Sequence, residues 1–204
     1  MPWRQVDVHA GEPLPASVRW RAVVPLGGEM GAYDEDRFGF LVDEKRFLGR
    51  AVEAGTPVLG ICLGSQLLAD ALGGRAHRGR EPEVGFRTLE LTSAGAADAV
   101  LGAAEARGPH FLWHHDTFDL PRGAMLLAAS DRYPHAYRMG SALALQFHPE
   151  AGADIILDWA DRAGPDGLAA DGLDPDQFRK DVEASAPAAR TAGLELFTAW
   201  VATI

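Results

Sequence analysis

The chain has 204 residues, 47% hydrophobic and 24% charged, enough to bury the full core of one soluble globular domain. Its 19 basic against 29 acidic residues leave a net charge of -10, which argues against a nucleic-acid-binding face, and its apolar runs are far too short to span a bilayer. A single cysteine excludes an internal disulfide, and no basic, apolar leader opens the chain, so the expected location is cytoplasmic.

In chain order, short strands are expected at Gln5 to His9 and Arg21 to Leu26, a helix at Asp43 to Ala54, a strand at Pro57 to Ile61 and a helix at Gly64 to Leu72. This alternation is that of an α/β fold with a mostly parallel central sheet flanked by helices. Val84 to Leu91 alternates apolar and polar residues and predicts an antiparallel or edge pairing with Arg75 to Arg80. Met125 to Ala129, Ala136 to Arg138 and Ala142 to Phe147 read as further strands.

Beyond Glu150 the composition shifts to Ala, Asp and Gly, with Pro165, Pro175 and Pro187 punctuating two or three helices. Asp174-Pro175 is a helix start, Asp as N-cap and Pro at the first helical position. Ala188 to Val201 places Leu194, Phe197 and Val201 on one face, expected to pack on the sheet. Acidic residues such as Asp166, Asp171 and Asp174 lack the spacing of a calcium loop, so no metal site is expected. The chain reads as one domain over residues 1–204, with a core at 21–150 and a helical extension at 151–204.

One pentapeptide carries most of the chemistry. Gly60-Ile61-Cys62-Leu63-Gly64 follows the apolar Pro57-Val58-Leu59 and precedes the helix-like Ser65 to Leu72, so the cysteine falls where a buried strand turns into a helix. Small residues two positions to either side let the chain bend tightly and lift the sulfur above the sheet. A helix N-terminus favours a thiolate, the nucleophilic form. The partner candidate is His148, 86 positions on, in Gln146-Phe147-His148-Pro149-Glu150. In an extended segment His148 and Glu150 point the same way, so Glu150 can orient the His148 ring.

These segments together resemble the class I (triad) glutamine amidotransferase family. Val24-Pro25-Leu26-Gly27-Gly28 resembles that family's glycine-rich oxyanion strand, and Trp113-His114-His115-Asp116-Thr117-Phe118 its glutamine-pocket segment. The likeness runs from about Arg21 to Glu150 and is greatest to small stand-alone members similar to the amidotransferase part of GMP synthase. It implies the flavodoxin-like amidotransferase fold, with the first strand-helix unit missing ahead of Gln5 to Leu14. Loss of an interior strand would expose apolar edges, so the expectation is either a truncated start or a gap filled by another segment or subunit.

The resemblance further implies a glutaminase that needs no cofactor. Cys62 would attack the γ-carboxamide, backbone N–H groups of Gly28 and Leu63 would hold the oxyanion, and His148 with Glu150 would move protons. Gln66, His114 and Asp116 would bind substrate, and ammonia would pass to a separate synthetase subunit. Two rival readings share the scaffold: a self-sufficient γ-glutamyl hydrolase or peptidase, and a non-catalytic regulatory or binding module. His9, His77, His110 and His135 carry no partner pattern and read as ordinary surface or loop residues.

Overall fold

The computed structural model describes residues 3–103 and 108–204. The chain divides into two compact units. Unit 1 comprises Met1–Arg78, Asp116–Met125 and Ala136–Gln146; unit 2 comprises Gly79–His115, Leu126–His135 and Phe147–Ile204. Among the described residues no helix is long and apolar enough to cross a membrane.

Unit 1 is built on β1 (Val58–Ile61), whose four residues are all buried. It pairs in parallel with β6 (Ala142–Leu145), Leu59 opposite Leu143 and Gly60 opposite Ala144. On its other side β6 pairs antiparallel with β5 (Pro134–Met139), so the sheet is mixed. Helix α1 (Phe40–Glu53) turns Leu41, Phe47, Leu48 and Ala51 to the core, a spacing that makes one apolar stripe on a 3.6-residue period. Each such leucine or phenylalanine contributes about 2 kcal/mol on burial. Helix α2 (Leu63–Ala71) is buried from Leu63 through Ala69, as its apolar sequence demands.

Lys45 on α1 reaches Glu35 and Asp70 at 2.6 Å each, and the Asp70 carboxylate also accepts the Ala76 N–H. These contacts fasten α1, α2 and the start of β2 (Arg75–Arg87). The Arg21 to Leu26 segment makes no regular strand. It carries one parallel bridge, Val23 to Val58, and backbone hydrogen bonds from Leu59 and Ile61 to Val23 and Pro25. Val24 and Leu26 on this segment are 41% and 56% exposed. Gln5 to His9, expected as a strand, instead leads into a 3-10 turn over Val8–Ala10.

The hairpin expected between Arg75 to Arg80 and Val84 to Leu91 does not form. Residues 75–87 are one long strand, and β2 pairs instead with β3 (His110–Asp119), the segment that the family resemblance assigns to a substrate pocket. The strand runs on through Pro82, the residue that the sequence offers as a break between the two segments. A short helix α3 (Ser93–Ala96), capped by Thr92, joins them, and β4 (Met125–Ala129) bridges back to Leu91.

Unit 2 takes its core from Phe111, which meets Phe86, Trp113, Trp159 and Phe178 in tilted and edge-on ring contacts. Two helices close it. Helix α4 (Ala153–Ala170) is kinked at Gly164, φ 68°, beside Pro165, and α5 (Pro175–Val201) continues through Pro187 as one 27-residue helix. Asp174 caps α5 by accepting the Gln177 N–H at 2.8 Å, as the Asp-Pro start predicts. The expected inner face of its last turns is offset. Leu194 and Val201 are 58% and 46% exposed, while Gly193, Leu196 and Trp200 face inward.

Candidate functional site

Cys62 sits between β1 and α2 with φ 52° and ψ -111°, the one non-glycine residue at positive φ among the described residues. A side chain held in this region costs about 1–3 kcal/mol and persists only where surrounding packing enforces it. That packing is visible. A Cβ on Gly64 would lie 2.2 Å from the Pro25 carbonyl oxygen, and one on Gly60 would lie 2.7 Å from the Gly64 oxygen. Both glycines are therefore required for close approach of backbones. The Cys62 N–H donates to Leu145 at 2.8 Å, and the Cys62 carbonyl accepts from the Ser65 N–H and hydroxyl at 2.9 and 2.6 Å.

Gly28 lies beside the head of α2, with the Leu63 side chain 2.8 Å from where its Cβ would stand. A helix start aims N–H groups outward; in α2 those of Ser65 and Gln66 are taken by the Cys62 carbonyl, at 2.9 and 3.3 Å. Gln66, one turn further, is buried at 3% exposure. Its amide nitrogen donates to Gln146 at 3.3 Å and to the Asp116 carbonyl at 3.4 Å, and the Gln146 amide in turn lies 3.8 Å from the Cys62 sulfur. The Asp116 carboxylate accepts the Tyr33 hydroxyl at 3.0 Å and has the Arg78 guanidinium at 3.5 Å. Partial burial, together with the hydrogen bond to Asp116 and its charge, pushes the Tyr33 phenol up to about 12.

In unit 2 the His148 Nδ1 is 2.7 Å from Glu150 Oε1. A carboxylate only accepts, so Nδ1 carries the proton and Nε2 is left as the basic nitrogen. The ring is nearly buried and packs edge-on against Trp159 of α4 at 4.9 Å. The strand expected over Ala142 to Phe147 ends at Leu145. His148 makes an isolated bridge to Phe111, and Pro149-Glu150 form a turn, so the pair meets through a turn rather than through strand alternation. Helix α5 braces this turn: a Cβ on Gly193 would lie 2.0 Å from the Pro149 carbonyl oxygen.

His114 belongs to unit 2. Its ring is buried in unit 2, 3.3 Å from the Glu83 carboxylate, which also contacts His135 at 2.7 Å and accepts the Ser130 hydroxyl at 2.9 Å. Burial alone would raise the Glu83 carboxyl, but the hydrogen bonds with His114, His135 and Ser130 and the His135 charge hold it well below the ordinary carboxylate range. His110 and His135 are core residues, at 0% and 3% exposure, rather than the surface or loop residues expected. Trp113 and His115 donate to the two oxygens of Asp171, at 3.0 and 2.6 Å.

The structure thus gathers Cys62, Leu63, Gly28, Gln66 and Asp116 in unit 1 and His148 with Glu150 in unit 2. Sequence reasoning passes over Gln146, Tyr33 and Arg78, and in unit 2 Trp159, Gly193 and Asp171. Gln146 stands within a quoted motif; the others have no local signal, because each acts through a partner far along the chain.

Residues 31–154 match the family model described as Glutamine amidotransferase class-I. The chain is 32% identical over 132 residues to a glutamine-hydrolyzing GMP synthase of Helicobacter pylori, covering 64% of this chain and 24% of that protein. It therefore spans about a quarter of the length of the GMP synthases it matches. A crystal structure of a glutamine amidotransferase from Thermotoga maritima superposes with a TM-score of 0.84 at 34% identity, covering 96% of this chain and 85% of that one. A glutamine amidotransferase structure from Methylobacillus flagellatus, 24% identical with a TM-score of 0.84, shares the fold over 100% of this chain and 85% of its own.

Proposed function

We propose, for a chain that belongs to the class I glutamine amidotransferase family, that it hydrolyses the γ-carboxamide of glutamine through Cys62, His148 and Glu150. The observation that carries this reading is the strained Cys62 backbone at the head of α2, held by the Gly64 to Pro25 contact. Backbone strain of that kind at a strand-to-helix turn is the device that presents a nucleophile.

In this reaction Cys62 attacks the amide carbon, and the N–H groups of Leu63 and Gly28 receive the oxyanion. His148, its Nδ1 held by Glu150, takes the Cys62 thiol proton at Nε2 and passes it to the departing ammonia. It then takes a proton from water, which attacks the γ-glutamyl thioester and releases glutamate. Gln66 and Asp116 hold the amino-acid end of the substrate, with Tyr33 and Arg78 fixing the Asp116 carboxylate. His114 serves from behind, anchoring the strand that carries Asp116. Ammonia passes to a separate synthetase subunit, a role suggested by the likeness to glutamine-hydrolyzing GMP synthases.

The test is glutamate release by the purified chain, with glutamine and a γ-glutamyl dipeptide in parallel. Turnover of glutamine that Cys62→Ala abolishes is the expected result. Preference for the dipeptide would favour the γ-glutamyl hydrolase. No Cys62-dependent turnover of either, even with a synthetase partner present, would leave a non-catalytic module.

A further inference from the structure

We propose that Glu83, His114 and His135 form a binding site for a divalent transition-metal cation. The inference uses unit 2 alone and does not depend on the reaction assigned to Cys62. Three strands converge on the point: Glu83 from β2, His114 from β3 and His135 from β5. All three side chains are buried, at 6%, 2% and 4% exposure, and their donor atoms lie within 4.8 Å of one another.

The convergence is directional as well as close. The two imidazole planes stand at 84°, with centroids 6.4 Å apart, and both Nε2 atoms approach the same carboxylate oxygen. Ser130 donates to the other oxygen, Oε1, which fixes the carboxylate with Oε2 facing the rings. Such outer hydrogen bonds orient ligands in metal centres generally. Tyr133 packs edge-on against His114 at 5.8 Å, and its hydroxyl is tied to the Glu81 backbone, so the His114 ring is held on that flank.

A tetrahedral cation bound at about 2.0–2.2 Å keeps its donors roughly 3.3–3.6 Å apart. The His114 to Glu83 separation of 3.3 Å meets that spacing as it stands. The His135 to Glu83 separation of 2.7 Å is a hydrogen-bond distance, and opening it by roughly half an ångström exchanges the shared proton for the metal. A neutral imidazole that binds the metal through Nε2 carries its one proton on Nδ1, so binding fixes that tautomer. Two imidazoles and one carboxylate suit Zn²⁺ and its first-row neighbours, whereas Ca²⁺ and Mg²⁺ require more oxygen donors. A bound ion would join β2, β3 and β5 at one point, three residues along β3 from Thr117.

The experiment uses the full chain, freed of metal by chelator and dialysis, titrated calorimetrically with Zn²⁺ and spectroscopically with Co²⁺. Wild type and Cys62→Ala should each bind one equivalent, with Co²⁺ giving the strong visible bands of a tetrahedral nitrogen and oxygen site and no thiolate charge-transfer band. Glu83→Gln and His135→Gln should weaken Zn²⁺ binding by about 100-fold and lose the rise in Tm that Zn²⁺ produces in wild type. Circular dichroism in chelator shows which variants fold. Absence of stoichiometric binding by wild type, a thiolate band removed by Cys62→Ala, or full affinity in a folded Glu83→Gln or His135→Gln protein would each overturn the proposal. The wild-type and Cys62→Ala spectra decide it even if both buried-site variants fail to fold.

Discussion

The two units present their reactive groups by different physical means. In unit 1 Cys62 is held at a strained turn: positive φ, glycines at positions 60 and 64 and the Ser65 hydrogen bonds lie close by, with the Leu145 carbonyl and the Pro25 backbone as distant supports. In unit 2 His148 is held by groups remote in sequence: Phe111 on β3, Trp159 on α4 and Gly193 on α5, with Glu150 alone nearby. A cysteine set by the fit of a strained turn depends first on the glycines beside it, whereas a histidine set by packing depends on the helical extension.

The largest expected effects test the steric half of this contrast. Gly64→Ala drives a Cβ into the Pro25 carbonyl and should destabilise the protein by about 3 kcal/mol or more, read from urea midpoints. Gly193→Ala meets the Pro149 carbonyl in the same way, and it should also displace His148 and lower the kcat of the proposed glutamine hydrolysis by about 100-fold. A Gly193→Ala protein with wild-type activity would break the comparison.

Next in size, Trp159→Leu removes the edge-on partner of His148 within unit 2. It should lower kcat about tenfold, with the rate of Cys62 alkylation by a small electrophile unchanged. Equal loss of both would mean that the two units do not behave separately.

A smaller effect isolates the strain itself. Cys62→Gly and Cys62→Ala are both expected to be inactive, but glycine adopts φ 52° without penalty, so Cys62→Gly should be the more stable by about 1 kcal/mol in thermal melts. Equal stability would show that the backbone there is relaxed.

The smallest prediction concerns Tyr33. Its phenol is raised in the folded state, so the associated stability is complete below the ordinary value of 10.0 and is lost as pH climbs through about 12. The difference between phenolate absorbance titrations of wild type and Tyr33→Phe should show one tyrosine with a midpoint near 12. A midpoint near 10 would remove the Asp116 contact from the site.

Much of unit 1 is legible in the amino-acid sequence. Helix α2 begins one residue from its expected start, and β1 lacks only Pro57 of its expected span, because apolar periodicity and the flanking glycines are local signals. Unit 2 is less so. The long β2, its pairing with β3, and the inward face of α5 all depend on partners far along the chain. The Glu83, His114 and His135 cluster is the extreme case: none of the three carries a metal-ligand spacing in the sequence, and their meeting is a property of strand pairing.

By itself, then, the amino-acid sequence determined where Cys62 stands, because a strand, a tight turn and a helix start are written within about fifteen consecutive residues. The tertiary structure alone decided what surrounds it. Which strand lies beside which, which face of α5 is buried, and which carboxylate meets which histidine follow from long-range packing, whose entropy cost of closure is repaid only when the whole unit forms.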